Sequence, residues 1–195
     1  MPAKTDFDRA RTISMDFDGV LSSLVLGQTW EKTKERRKPV PVITPAVRAV
    51  KIGLAALTER LRRPLPRAEK AVRVLHTTRT LCLLTSRTGP RIAAAERWLA
   101  RFGWTGLFET RFFNAEGEDA DRFKARIIGA NPIDLHVDDD PETIAYLAGL
   151  FPDRLFIHLN HYRRRSPAGA NILAVGGWDE VEALFGPERP RPDKG

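Results

Sequence analysis

The sequence predicts an α/β protein: a mainly parallel sheet covered by helices on both faces. Three observations carry this. Short apolar runs of strand length recur, as in Leu81 to Leu84, Ile133 to Val137 and Leu155 to Leu159. Between them, apolar residues repeat at spacings of three and four, the period of an amphipathic helix. Each run ends in small or polar residues, and the connections are short. Sheets of this kind bind their ligands beyond the carboxyl ends of their strands.

The elements follow in order. Arg11-Thr12-Ile13-Ser14 forms the body of a first strand, which runs into Met15-Asp16-Phe17-Asp18-Gly19-Val20. Ser22 to Thr29 suits a loop or hairpin. Trp30 to Lys38 is dense in charge, the pattern of a solvated helix face or loop. Pro39-Val40-Pro41 breaks regular structure. Thr44 then reads as an N-cap with Pro45 in the first turn. Val47, Val50, Leu54, Leu57 and Leu61 make one apolar stripe, with Arg48, Lys51, Glu59 and Arg62 outside it. That stripe, within a helix over 45–62, is open to three readings: packing on its own domain, the seam of a homodimer, or a cover over the active site. Arg63-Pro64-Leu65-Pro66 ends the helix.

Ala68, Val72 and Leu75 give a second helix face, and Leu81 to Leu84 a strand ending in Thr85-Ser86-Arg87-Thr88-Gly89. Pro90 opens a third helix with Ile92, Ala95, Leu99 and Phe102 inward. Thr110 to Phe113 is a strand and Arg122 to Ile128 a helix. Ile133 to Val137 is a strand that meets Asp138-Asp139-Asp140. Asp140 caps the next helix, with Pro141 at its first position and Ile144, Leu147 and Ala148 inward. A strand over Leu155 to Leu159, a short one over Asn171 to Val175 and a helix over Trp178 to Phe185 complete the order. Residues 1–185 read as one domain, with 21–63 a small insertion after the first strand. Gly186 to Gly195, rich in proline and charge, is expected to be a disordered tail. There is no internal repeat.

Bulk properties narrow the function classes. Of 195 residues, 42% are hydrophobic, enough for one domain with a real core. The net charge of +7 and pI near 10.0 favour anionic partners: phosphorylated metabolites, nucleic acid or an acidic surface. The lone cysteine, Cys82, excludes an intrachain disulfide and reads as a buried thiol. Met1 to Asp6 has no apolar core of a secretory signal, and no run approaches the roughly 18 apolar residues that span a bilayer. The expectation is a cytoplasmic protein with no membrane partner.

The residues just after the strands carry the chemistry. They are Asp16 and Asp18, Thr85 and Ser86, Asn114, Asp138 to Asp140, and Asn160 with His161. On an extended chain Asp16 and Asp18 would point to opposite faces. A strand that ends at Asp16 lets the chain turn and bring both to one site, with Gly19 supplying the backbone freedom. Such a pair suits a hard cation such as Mg2+, or a carboxylate nucleophile beside a carboxylate acid. Alone, D-x-D-G is most often an ordinary turn. A calcium loop is excluded, because Val20, Leu21, Leu24, Val25 and Leu26 stand where oxygen ligands are needed. His136, His158 and His161 have no mutual metal-ligand spacing and read as core or loop residues.

Asp16-Phe17-Asp18-Gly19-Val20, Leu83-Leu84-Thr85-Ser86, Lys124 and Val137-Asp138-Asp139, in that order, resemble the haloacid dehalogenase (HAD) superfamily of phosphohydrolases. A two-component receiver domain fits less well, because here a second acidic cluster follows the hydroxyl and the lysine. The resemblance implies a HAD-like, Rossmannoid three-layer fold with a reduced cap over 21–63, and a Mg2+-dependent phosphatase acting through an aspartyl phosphate. It implies Asp16 as the nucleophile and Asp18 as the acid and then base. It implies Mg2+ held by Asp16, the Asp18 backbone carbonyl and Asp138, with Asp139 beside them. Thr85 and Ser86 would bind the phosphoryl oxygens and Lys124 would neutralise charge, with Lys70 the competing lysine. The ending, with Gly177-Trp178-Asp179-Glu180-Val181, is similar to that of nucleotidase-like members.

Three functions compete on these residues. The first is a phosphatase for a phosphorylated small molecule, such as a nucleotide. The second is a nucleic-acid end phosphatase, drawn from the short cap and the basic groups Lys32 to Lys38 and Arg163-Arg164-Arg165. The third is a non-catalytic phosphate-binding or interaction protein, which would have no need of both Asp16 and Asp18.

Overall fold

The computed structural model describes residues 2–23, 60–161 and 165–185. Most of the 21–63 insertion, its helix as far as Glu59, the Lys32 to Lys38 group, Arg163, Arg164 and the 186–195 tail lie outside the described residues.

Among the described residues, six strands form one parallel sheet: Thr12–Met15 (β1), Thr80–Thr85 (β2), Thr110–Phe113 (β3), Leu135–Asp138 (β4), Leu155–Leu159 (β5) and Ile172–Val175 (β6). Their order across the sheet is β3-β2-β1-β4-β5-β6. The helices are Lys4–Arg9 (α1), Ala68–His76 (α2), Pro90–Arg101 (α3), Ala120–Ala130 (α4), Pro141–Leu150 (α5) and Trp178–Phe185 (α6). No described helix is long and apolar enough to cross a membrane.

Central strands are covered on both faces, so they read as continuous apolar runs rather than alternating ones. The six residues of β2, TLCLLT, are buried after the first, Cys82 included. Ile13, Met15, Leu81, Leu83, Leu135, Val137, Ile157 and Leu159 point into one core with α1, α2, α3 and α6. Leu84, Phe156 and Ile172 point the other way, into a smaller core with α4 and α5. The period of two along β1 and β4 therefore puts Ser14 and His136 on that second face, between apolar neighbours.

Helix starts follow the sequence. Asp140 accepts from the Glu142 amide at 3.0 Å and Pro141 follows it at the first helical position. Asp119 caps α4, which extends the expected helix by two residues at each end. Two expectations need correction. The buried stripe of α3 is Ala95, Trp98 and Leu99, while Ile92 and Phe102 are half-buried. Trp98 joins the stripe because it anchors an aromatic cluster, with Phe17 at 5.0 Å, Trp104 at 5.3 Å and Phe102, itself packed against the core, at 4.8 Å. At the end of the 45–62 stretch the expected sides are reversed: Leu61 is 61% exposed and Arg62 is buried. Arg62 turns inward because Asp18 and Ser22 supply it with acceptors.

The C-terminal helix reaches back to the first loop. Trp178 donates its indole N–H to the Val20 carbonyl at 2.7 Å, in the interior. Trp178→Phe keeps most of the ring but leaves that carbonyl unpaired. It should cost about 1–3 kcal/mol in urea unfolding. An unchanged midpoint would show that α6 does not anchor the loop.

Candidate active site

The strand order reverses direction at β1: the chain builds outward through β2 and β3, then crosses to β4 on the other side. A crevice opens at such a switch point, at the carboxyl ends of the two strands that flank it. The register pairs Ser14 with His136 and Met15 with Val137, and the Asp16 amide donates to the Val137 carbonyl at 3.0 Å. Asp16 and Asp138 therefore leave adjacent strand ends side by side.

Beyond Asp16 the chain turns at once. The Leu21 and Ser22 amides donate to the Phe17 carbonyl, and the Gly19 amide donates to the Ser22 carbonyl. Gly19 takes φ of 75°, and a Cβ there would lie 2.3 Å from the Asp139 carboxylate. Glycine at this position is thus required twice, by its dihedral and by the approach of Asp139.

Ligand oxygens of Asp16, Asp138 and Asp139 lie within 4.8 Å of one another. Lys124, from the buried face of α4, bridges two of them, with Nζ 2.5 Å from Asp138 Oδ2 and 3.3 Å from Asp16 Oδ1. Burial alone would weaken the ammonium's hold on its proton, but Asp138 and then Asp16 outweigh it and hold Lys124 charged above the ordinary lysine range. Burial pushes the Asp16 carboxyl up to about 7; the charges of Asp138 and Asp18 add to this, against Lys124. For Asp138 the burial effect is overcome by Lys124 and His136, which hold it below the usual carboxylate range. Asp16 Oδ1 is buried and accepts no hydrogen bond, since Lys124 stands near it without hydrogen-bond geometry. A buried carboxylate oxygen in this state, beside two further carboxylates, fits a hard divalent cation.

Asp18 faces a different environment. Its Oδ1 accepts from Arg62 Nη1 at 2.5 Å and Arg87 Nη2 at 2.7 Å; its Oδ2 accepts from Arg87 Nε at 2.9 Å and Arg91 Nη2 at 3.2 Å. Burial would raise this carboxyl, but Arg87, then Arg62 and Arg91, hold it well below the usual range. The clamp is itself held. The Arg87 guanidinium lies 4.3 Å over the Phe17 ring, and Trp98 donates to the Arg62 carbonyl at 3.3 Å.

The remaining expected residues are placed as follows. Thr85 ends β2 and is buried, with half-buried Ser86 after it, at the carboxyl end of the strand next to β1. Asp140 serves as the helix cap. Lys70 pairs with Glu182 on the surface, away from this cluster. His136 and His158 are buried and His161 is half-buried, and among the described residues no histidine joins a metal-like group. Asn114 staples its own loop through the Glu118 backbone. Sequence reasoning missed Arg62, Arg87 and Arg91 as partners of Asp18. The available signal was Arg87, directly after Thr85-Ser86 at a strand end, with Arg91 one helical turn on.

No family model matches the chain, and no curated protein sequence does. Solved structures do. A haloacid dehalogenase-like hydrolase from Streptococcus pneumoniae superposes with a TM-score of 0.65 at 12% identity, over 91% of this chain and 99% of that one. A protein described as the HAD hydrolase YfnB from Bacillus subtilis, bound to magnesium, gives 0.57 at 12% identity, over 91% and 99%. A chain of the Pnkp1/Rnl/Hen1 RNA repair complex gives 0.52 at 12% identity, over 76% of this chain and 42% of that one. The chain has the HAD-like α/β fold.

The Gly19 contact is directly testable. Gly19→Ala should lose about 1–2 kcal/mol from the left-handed dihedral alone, and more from the collision with Asp139. Adding Asp139→Ala should recover the excess, because the carboxylate is then gone. A Gly19→Ala variant as stable as its parent, or no recovery in the double variant, would remove this explanation.

Proposed function

We propose that the protein is a Mg2+-dependent phosphomonoesterase that works through an aspartyl-phosphate intermediate. One observation carries the reading: the oxygens of Asp16, Asp138 and Asp139 converge at the sheet's switch point with a buried Lys124 against two of them. The HAD-like fold and a magnesium-bound structural neighbour support it.

Asp16, Asp138 and Asp139 would hold Mg2+, together with the Asp18 backbone carbonyl. The cation supplies charge neutralisation, without which the carboxylates would repel a phosphate dianion. Asp16 attacks phosphorus, and the phosphorus–oxygen bond to the leaving alcohol breaks. Asp18 gives that oxygen a proton. It then takes one from the water that cleaves the acyl phosphate, which releases phosphate and restores Asp16. Arg62, Arg87 and Arg91 favour the ionised form of Asp18, which suits the second step. For the first step Asp18 must take up a proton from solvent, against the pull of those guanidiniums, before it can give one to the leaving oxygen. Lys124 offsets the charge that builds between Asp16 and phosphate. Thr85 and Ser86 bind phosphoryl oxygens.

Hydrolysis of an aryl phosphate should need added Mg2+ and stop in excess chelator. Asp16→Asn should fall to background and form no phosphoenzyme. Asp18→Asn should lose at least about 10²-fold with an alkyl phosphate, which needs the proton. With an aryl phosphate it should stall, and acid-quenched mass spectrometry should find one phosphate on Asp16. Full turnover in chelator, or a phosphate on another residue, would overturn the mechanism.

A second reading, a nucleic-acid end phosphatase, gains from the neighbour in an RNA repair complex. The exposed Arg165, just past β5, adds a cation that a polyanion could meet. Its mark would be oligonucleotide binding that weakens steeply with salt. Replacement of Arg163, Arg164 and Arg165 by Ala should flatten that slope and spare aryl phosphate turnover. Absent or salt-independent binding would remove this reading.

A further inference from the structure

Behind the acidic cluster runs a buried polar line that the reaction does not use. On β1 and β4, Ser14 and His136 are directly paired across the sheet, and both point to the α4–α5 face. Ser14 Oγ lies 2.8 Å from His136 Nδ1, and His136 Nε2 lies 3.2 Å from Asp138 Oδ2. All three residues are essentially without solvent contact.

Donor and acceptor counting fixes the direction of this line. Nδ1 faces a serine hydroxyl, which can donate or accept, while Nε2 faces a carboxylate oxygen. A neutral imidazole has one N–H and one bare nitrogen. Asp138 is an ionised carboxylate and can only accept, so the N–H must be on Nε2. Nδ1 is then the acceptor, and the Ser14 hydroxyl must donate to it. The opposite tautomer would set a nitrogen lone pair against a carboxylate lone pair in the interior.

The line ends on an oxygen that is already engaged. Asp138 Oδ2 receives both His136 and Lys124, while Oδ1 receives the Asp140 amide at 3.1 Å. Each carboxylate oxygen accepts about two hydrogen bonds. Oδ2 is filled, and Oδ1 keeps room for one further partner. Without His136, Oδ2 would be held by the flexible ammonium of Lys124 alone, which also faces Asp16.

We propose that His136 and Ser14 are positioning residues for the cation site, with Ser14 setting the tautomer of His136 and His136 fixing the Asp138 carboxylate that would hold Mg2+. This rests on the reading that Asp16, Asp138 and Asp139 hold the cation. It adds to that site two residues that touch neither metal nor substrate. A purely structural pair would alter stability and leave the Mg2+ affinity of the folded protein unchanged.

The test is Mg2+ binding by isothermal titration calorimetry, with each variant first shown to be folded by urea denaturation. His136→Leu should weaken Mg2+ by roughly 10- to 100-fold, the usual effect of losing an outer partner of a metal ligand. His136→Gln, which keeps a side-chain N–H, should recover much of the loss. Ser14→Ala should weaken binding toward the lower end, by about 10-fold, and it decides the matter if His136→Leu does not fold. In the unmodified protein, 15N spectra of the histidine rings should show the His136 proton on Nε2. Mg2+ affinity unchanged in the folded variants, or a proton on Nδ1, would overturn this proposal alone. An unmodified protein that binds no Mg2+ would overturn the cation site as well.

Discussion

Like charges at a strand switch point are the constraint on which the rest of this structure depends. The fold brings Asp16 and Asp138 out of neighbouring strands, and the turn after β1 returns Asp18 and seats Asp139 against Gly19. Carboxylates so close, and so little solvated, do not coexist without cations. Lys124 is placed for Asp16 and Asp138, and Arg62, Arg87 and Arg91 for Asp18. These cations come from α4, from the chain that re-enters before α2, from the end of β2 and from α3. Each is buried or half-buried on its way in, so several elements are committed to one small site.

That commitment explains packing that looks unrelated to chemistry. Phe17 stands between the two leading aspartates and points into the larger core, where it meets Trp98 edge-on. Its other side receives the Arg87 guanidinium. Trp98 in turn holds the Arg62 backbone. One aromatic pair therefore fixes two of the three cations on Asp18. Trp178 closes the loop from the opposite end of the chain through the Val20 carbonyl. Removing a buried counter-ion from such an arrangement leaves an uncompensated charge, which costs far more than the pair contributes net.

Much of this was legible in the sequence, for identifiable reasons. Strands buried on both faces announce themselves as apolar runs, and β5 and α6 fall on their expected residues. Asp140-Pro141 marks a helix start by chemistry that does not depend on tertiary context. The ordered acidic and hydroxyl residues pointed to one sheet edge because parallel strands end there together. The helix Lys4–Arg9 was not legible: at six residues, with Phe7 its buried apolar side chain, it has no periodicity to read. The arginine clamp was hidden because arginine is ordinarily a surface residue. Only the turn geometry tells which guanidiniums can reach Asp18. The Ser14–His136 pair could have been seen. Ser14 precedes Asp16 by two and His136 precedes Asp138 by two, so equal register on adjacent strands puts each pair on one face.

The charges of the site bear on the kind of phosphate it would take. Among the described residues, the carboxylates Asp16, Asp18, Asp138 and Asp139 are equal in number to the cations placed on them, with Arg62, Arg87 and Arg91 on Asp18 and Lys124 on Asp16 and Asp138. Such a set is close to neutral and has no strong reason to hold an anion. A bound Mg2+ would leave it with an excess of two positive charges. A phosphomonoester dianion returns that excess to zero, whereas a diester monoanion leaves one charge unmatched in a buried site. Unmatched charge is expensive where water is scarce, so under the proposed function the site would prefer the monoester. In this reading the arginines do not recruit substrate by raw charge. They more than offset Asp18 at rest, and under the proposed function the cation would supply the surplus that a phosphoryl group consumes.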